Sequence, residues 1–178
     1  VVGHHVHPVN RLDRPTSGLV VFAKQREFVR PLQEIWHTDS IKKFYLALTR
    51  GIFKDKGEFT FDLNDFNKNP KPAITIYEPL KIFPHSTLVE VEIKTGRHHQ
   101  IRRHFSRRVD HLLGDRKYGK KKYNDFYLEN YGLNRLFLHS SKMIFTNPFT
   151  QNQNHIHSPL PEDLQSCLNK LNQEFSNE

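Results

Sequence analysis

Hydrophobic and polar positions along this chain fall mostly into short alternating runs broken by turns, with a few stretches at helical spacing. Residues 19–23, Leu-Val-Val-Phe-Ala, form an unbroken apolar run after a Ser17-Gly18 turn and predict a buried strand. Val29, Leu32, Ile35 and Trp36 recur at helical spacing and predict a short helix, which Pro31 limits upstream. Residues 42–50 alternate around Phe44, Leu46 and Leu48, which predicts a strand with Tyr45 and Ala47 on its other face. Phe59 and Phe61 predict another strand, followed by a polar loop over 64–72. Residues 74–83 and 87–94 predict an antiparallel pair. In the second of these, Val89, Val91 and Ile93 alternate with Glu90 and Glu92, giving one dry face and one wet face.

After a Thr95-Gly96 turn, residues 97–108 predict a helix with few apolar residues beyond Ile101 and Phe105. A basic and aromatic stretch covers 116–131. Residues 136–145 predict a strand ended by a Thr146-Asn147-Pro148 turn. A C-terminal helix over Glu162–Phe175 carries Leu164, Leu168, Leu171 and Phe175 on one stripe, with Pro161 suited to its start. Many strands and few helices, without repeats or low-complexity linkers, predict an α+β domain: a mixed, mainly antiparallel sheet with flanking helices.

Composition narrows the partners. The 178 residues suit one domain and carry a net charge of +8, which points to an anionic partner, nucleic acid before a membrane surface. The single cysteine, Cys167, excludes an internal disulfide and a Cys-rich zinc site, and fits a reducing compartment. Residues 1–10 show no signal-peptide pattern and the longest apolar run is too short to span a bilayer, so the cytoplasm is the expected location. His4, His5 and His7 cluster, as do His155 and His157, but no H-E-x-x-H or C-x-x-C spacing accompanies them, and no metal site is predicted. No P-loop and no G-x-G-x-x-G supports a nucleotide cofactor.

Candidate chemistry concentrates in a few segments. Residues 10–18, Asn-Arg-Leu-Asp-Arg-Pro-Thr-Ser-Gly, place the carboxylate of Asp13 between the guanidinium groups of Arg11 and Arg14, beside a turn. In an extended segment Arg11 and Asp13 share a side, so a nucleophile and a cation would meet the same polyanion. The plainer reading is a surface turn with a structural ion pair. Residues 95–104, Thr-Gly-Arg-His-His-Gln-Ile-Arg-Arg-His, are dense in cations. On a helix Arg102 would share a face with His98 and His99, leaving Arg103 and His104 to turn elsewhere. One cation there could pair with Asp13 while Arg97, His99 and Arg103 meet a nucleic-acid backbone; a solvated basic face is the alternative. In residues 114–123, Lys117, Lys120 and Lys121 interleave with Tyr118 and Tyr123, a mix that suits phosphate contact with stacking, or an ordinary exposed loop. Tyr45 either floors a base pocket or belongs to the core. His139, in Arg135-Leu-Phe-Leu-His139, reads as structural.

Taken in order, these segments resemble the RluA-type pseudouridine synthases. Residues 10–18 match the family's H-R-L-D-x-x-T-S-G, with Asn10 in place of the histidine. Residues 95–104 match T-G-R-x-H-Q-[IL]-R-x-H, while Leu113-Gly114-Asp115 with Tyr118-Gly119, and residues 135–139, match two further markers. Arg14-Pro15-Thr16-Ser17-Gly18, Pro72-Ala73-Ile74-Thr75, Arg102-Arg103-His104 and Asn147-Pro148-Phe149-Thr150 bring it nearest to the members that modify uridine 65 of tRNA. Members that act on ribosomal RNA share the general markers, and a non-catalytic RNA-binding module on the same fold is the other alternative.

The resemblance implies isomerisation of uridine to pseudouridine in structured RNA, without cofactor or metal. Asp13 would be the nucleophile and Arg102 its counter-ion. Tyr45 would stack on the base and assist removal of the C5 proton. Arg11 would fill the gap left by the extruded uridine, and Arg14, Arg97, His99, Arg103, Lys117, Lys120 and Lys121 would hold RNA. It further implies a cytoplasmic monomer with RNA as partner, no membrane and no obligate protein partner. The whole of 1–178 would be one catalytic domain without the family's N-terminal strand segment, which would leave a sheet edge exposed. Asn10 would support the loop rather than take part in chemistry.

Overall fold

The computed structural model describes residues 5–36, 38, 40–108 and 110–175. Its centre is a mixed sheet built on β4 (Ile41–Arg50), with β9 (Ser86–Ile93), β8 (Thr75–Phe83) and β5 (Gly57–Phe59) following on one side and β10 (Leu138–Thr146) and β11 (Gln153–His157) on the other. All these neighbours pair antiparallel; the short β2 (Ser17–Gly18) adds a parallel pairing to the start of β10. Two small hairpins stand outside it, β1 (His7–Pro8) with β3 (Phe22–Ala23), and β6 (Leu63–Asn64) with β7 (Pro70–Lys71). The helices are α1 (Val29–Ile35), α2 (Gln100–Arg108), α3 (Lys121–Tyr131) and α4 (Glu162–Phe175). An α+β fold with a mainly antiparallel sheet is what the alternating runs predict. Among the described residues, no helix is long and apolar enough to cross a membrane.

Each face of the sheet buries its own core. On one face Tyr45, Ala47, Val89, Val91 and Ile93 pack with Ile101 and Phe105 of α2 and with Phe53 and Phe59. On the other, Leu48 and Phe83 pack against Tyr127 and Tyr131 of α3 and the α4 stripe of Leu164, Leu168 and Leu171. Burial by both cores explains why Ala47 and Leu48, adjacent in β4, are both fully buried. The buried face of β4 is that of Ile41, Lys43, Tyr45 and Ala47. Phe44 and Leu46, around which the alternation was centred, are only half-buried, because helices cover that face only at the Arg50 end.

Several predicted boundaries shift. Of the apolar run 19–23 only Phe22–Ala23 is a strand; it pairs with β1 apart from the main sheet, and Val20 and Phe22 are exposed. The polar loop 64–72 contains the β6–β7 pairing. The predicted strand through Phe59 and Phe61 ends at Phe59. The strand predicted over 136–145 runs Leu138–Thr146, and β11, which had no clear alternation, completes that edge. The C-terminal helix has the predicted bounds.

The basic helix starts at Gln100 rather than residue 97, because His99 holds a left-handed backbone with φ 53°. Its surroundings explain the rest. The Gln100 side chain accepts from the Thr95 hydroxyl (2.7 Å) and the Arg97 N–H (2.9 Å) and donates to the Ile74 carbonyl (2.9 Å) and Thr75 Oγ1 (3.0 Å). The Thr75 hydroxyl is 2.9 Å from His104 Nδ1, and His104 Nε2 lies 3.2 Å from the Phe61 carbonyl. A neutral imidazole protonated on Nε2 satisfies both contacts, accepting from Thr75 and donating to Phe61. Residues 100–105 are therefore buried rather than a solvated basic face.

Burial pushes the pKa of His104 down to about 4, against the pull of the Phe61 carbonyl. The unfolded chain takes up this proton near pH 6.5, and the folded chain only near 4. Stability from this group is therefore complete above pH 6.5 and declines as pH falls toward 4, by up to about 3 kcal/mol. Urea unfolding at pH 7 and pH 4.5 is expected to show that fall, and a His104→Gln variant a shallower one.

Candidate active site

The Asp13 loop is held from several sides. The Val9 N–H bonds the Val21 carbonyl (2.9 Å), the Asn10 Oδ1 accepts from the Val21 N–H (2.8 Å), and a turn closes through Thr16 N–H to the Asp13 carbonyl (2.8 Å). Asn10 thus braces the loop through its amide oxygen. Past the turn, β2 lies along β10, with Ser17 opposite His139 and Gly18 opposite Ser140. Gly18 has φ 113°, and a Cβ there would sit 2.2 Å from the Ser140 carbonyl oxygen, so only glycine permits this approach. Ser17 Oγ is 2.9 Å from His139 Nδ1, whose Nε2 bonds the Ser158 carbonyl (3.0 Å); the structural reading of His139 holds. Arg135 adds bonds to the Pro15 carbonyl and Ser17 Oγ while its fork grips the Asp163 carboxylate at 2.5 and 3.0 Å.

Arg102, from the first turn of α2, reaches this loop. Its Nη1 donates to Asp13 Oδ2 at 3.2 Å. Its Nε and Nη2 make a paired contact with the Asp115 carboxylate at 2.7 and 2.9 Å. Asp115 is buried and accepts further bonds from the Lys117 and Tyr118 N–H groups at 2.9 and 3.0 Å. Burial alone would raise its pKa, but Arg102 and those backbone donors outweigh it, so the carboxyl is held below its ordinary value. Burial likewise works against the Arg102 charge, and Asp115 and then Asp13 reverse it, so the guanidinium pKa is raised. The Tyr118 ring lies 5.0 Å from the guanidinium.

Asp13 remains partly open, with 23 % of its side chain exposed. It lies in a cleft of about 60 Å³ lined by Arg11, Leu12, Thr16, Tyr45, His99 and Leu138, among others. Among the described residues Oδ1 of Asp13 has no hydrogen-bond partner, so that oxygen is free toward a ligand. Tyr45 lines the cleft and is buried, and its hydroxyl is pushed up to about 12, by burial first and by the Asp13 charge, against a lowering contact with Ser140. It keeps its proton at neutral pH and is not a standing base. His99 Nε2 lies 3.8 Å from Asp13 Oδ2, beyond hydrogen-bond range; burial and the Arg102 charge outweigh Asp13 and push its pKa down to about 4, so it faces the carboxylate as a neutral ring.

This geometry meets the comparisons with known proteins. Residues 2–107 match the sequence pattern of the family described as RNA pseudouridylate synthase. The chain belongs to that family. The tRNA pseudouridine synthase C of Haemophilus ducreyi is 36 % identical over 98 % of this chain and 81 % of its own length. The ribosomal large subunit pseudouridine synthase C of Vibrio vulnificus is 35 % identical over 92 % of this chain and 54 % of its own. In fold, the solved human RNA pseudouridylate synthase domain containing 4 superposes with a TM-score of 0.80 at 24 % identity, over 93 % of this chain and 76 % of that one. As a pseudouridine synthase, the protein is an isomerase.

The remaining predicted residues of the synthase sort into separate places. Arg11 is exposed and lines the cleft. Arg14 and Lys117 line an adjoining hollow of about 560 Å³ with Arg116 and Arg135, a basic surface next to the carboxylate. Arg97 is half-buried, its Nε bonded to the Pro72 carbonyl at 2.9 Å. Lys120 is exposed at the start of α3, and Lys121 pairs with Asp125 at 2.5 Å on a different face of the loop. Arg103 is a correction. It is 9 % exposed, and its Nη1 donates to the Asn64 and His98 carbonyls at 3.0 and 3.2 Å. The helix turns it inward, so its charge holds the β6–β7 hairpin to the loop before α2. Of the histidine clusters, His4 lies outside the described residues; among those described, no group of three His, Cys, Asp or Glu converges to hold a metal.

In the sequence, Asp115 stands out only as part of a motif, with no role of its own. A glycine followed by an acid and an aromatic was its signal. Gly114 has φ 76°, and a Cβ there would sit 1.9 Å from the Arg135 carbonyl oxygen, so the chain turns there and presents Asp115 inward. Asp115→Asn removes one of the charges that compensate a buried guanidinium. It is expected to cost about 3 kcal/mol in urea unfolding and to lower pseudouridine formation by about 100-fold, with RNA affinity changed far less.

Proposed function

We propose that this synthase converts uridine to pseudouridine in structured RNA, with uridine 65 of a tRNA as its target. The observation that carries the reading is the Asp13 carboxylate in the cleft, held through Oδ2 by Arg102 at 3.2 Å, with its other oxygen free and Tyr45 lining the same cleft. The reaction is an isomerisation. The N1–C1′ bond of uridine breaks, the base turns while held, C5 bonds to C1′, and the proton lost from C5 is balanced by one gained at N1. No electrons leave the substrate, so no redox partner enters.

Asp13 is the nucleophile, and Arg102 orients it. Tyr45, keeping its proton, offers the base an aromatic floor. A cleft of about 60 Å³ must open to admit a nucleoside, and exposed Arg11 is the lining residue free to move. Its guanidinium then fills the gap left in the RNA stack, where extrusion costs a few kcal/mol. The basic hollow of Arg14, Arg116 and Lys117 takes the flanking phosphates. The tRNA target is favoured over ribosomal RNA by the likeness to tRNA pseudouridine synthase C, which extends over 81 % of that relative against 54 % for the ribosomal one. The reaction takes place in the cytoplasm and needs one copy of the chain.

The test is incubation with unmodified tRNA and with fragments of large-subunit ribosomal RNA, followed by chemical mapping of pseudouridine. Product at position 65 of tRNA is expected. Asp13→Asn is expected to lower the rate by at least about 1000-fold while RNA binding persists, and Lys117→Ala to reduce the salt dependence of binding by about one counterion. Product in ribosomal RNA alone would reassign the substrate. RNA binding without product in any RNA would leave a binding module and defeat the enzymatic reading.

A further inference from the structure

The β6–β7 hairpin ends in a residue that the catalytic reading does not use. Phe66 is 83 % exposed, far more than any other large apolar side chain described. Its ring meets His98 in a tilted contact, with centroids 4.7 Å apart at 47°. His98 in turn stacks on His99 at 3.7 Å and 25°, and His99 lies beside Asp13. Three rings thus lead from solvent to the reactive carboxylate, and most of the first is open to solvent.

The tip is built to hold that ring still. Asp65 Oδ1 accepts from the Asn67 and Asn69 N–H groups at 2.9 and 3.0 Å, and the Asp65 N–H bonds the Asn69 carbonyl at 2.9 Å. Leu63, at the hairpin base, is fully buried. Buried Arg103 bonds both the Asn64 and His98 carbonyls, which ties the hairpin to the residue whose ring Phe66 contacts. His98, its pKa lowered by partial burial, is neutral at pH 7, so the ladder stacks without charge repulsion between its imidazoles.

We propose that the outer face of Phe66 is a stacking platform for an RNA nucleobase adjacent to the extruded uridine. The inference rests on the functional reading above and extends it to the residue that positions the flanking strand. Exposed Lys68 and Lys71 lie in the same hairpin and give its surface positive charge. An exposed aromatic ring on a hairpin that also carries exposed cations fits a base joined to a phosphate better than an apolar protein surface, which would leave those charges desolvated. The ladder also fixes the distance between platform and carboxylate, so a base seated on Phe66 sets the register of its neighbour over Asp13.

The experiment compares wild type with Phe66→Leu, Phe66→Ala and Phe66→Trp. All four are given an unmodified tRNA transcript, and the product uridine is mapped on the wild-type reaction. Leucine keeps apolar bulk without the ring, so a merely structural role would leave it indistinguishable from wild type. Loss of a stacked base is expected to raise KM by roughly 5- to 100-fold in the Leu and Ala variants, with kcat within about twofold and tryptophan restoring KM. With 2-aminopurine beside the mapped uridine, wild type and the Trp variant are expected to quench fluorescence and the Leu variant is not. A Leu variant with wild-type KM and quenching overturns the platform and leaves the synthase reading standing. A wild-type chain that forms no pseudouridine in any RNA takes both down.

Discussion

Arg102 sits between two carboxylates that hold it very differently, and the site depends on that asymmetry. Asp115 is buried, gives both oxygens to the guanidinium fork, and is itself fixed by two backbone N–H groups. Asp13 receives a single, longer bond and stays partly exposed. A buried guanidinium carries a large desolvation cost, and one carboxylate with good geometry offsets much of it. With that neutralisation supplied by Asp115, the second carboxylate is oriented without being consumed. The proposed role of Asp13 as nucleophile needs that state: charged surroundings that set its direction and one oxygen left for a ligand.

The scaffold serves this arrangement from far along the chain. The Asp13 loop is pinned by a parallel pairing to β10, by His139 and by Arg135, which also grips Asp163 at the start of α4. The C-terminal helix, packed through Leu164, Leu168 and Leu171, therefore stiffens a loop near the N-terminus of the chain. Asp115, Arg135 and His139 all lie beyond the stretch over which the family pattern matches, so the matched segment carries Asp13, Arg102 and the Asn10 brace but not these three supports.

Positive charge is divided by burial. Arg102 and Arg103 are inside and spend their hydrogen bonds on protein partners. Arg11, Arg14, Arg116 and Lys117 are exposed around the cleft and are free to meet an anion. Neutral His98 and His99 sit at the rim, where a positive charge would compete with Arg102 for Asp13. The excess of +8 is thus divided: a buried part builds the site, and an exposed part surrounds it as the proposed contact for RNA.

Most strands of the main sheet and the C-terminal helix were legible in the chain alone, while Arg102 as the partner of Asp13 was implied by the resemblance to the synthase family. Alternation reports which side of a strand is dry, and a helical stripe reports a buried face. The apolar run at 19–23 misled because local hydrophobicity does not say which sheet a strand joins, and Arg103 misled because a charge looks the same whether water or a carbonyl receives it. His99, Asp115 and Phe66 gained their positions from contacts between segments distant in sequence: a left-handed turn, a carboxylate brought under Arg102 from past α2, and a hairpin clamped above a histidine. Residue order determined which chemical groups were available. Only the packing of remote segments decided which charges were neutralised inside and which oxygen and which ring were left facing water, because those outcomes depend on distance and burial, which no local pattern encodes.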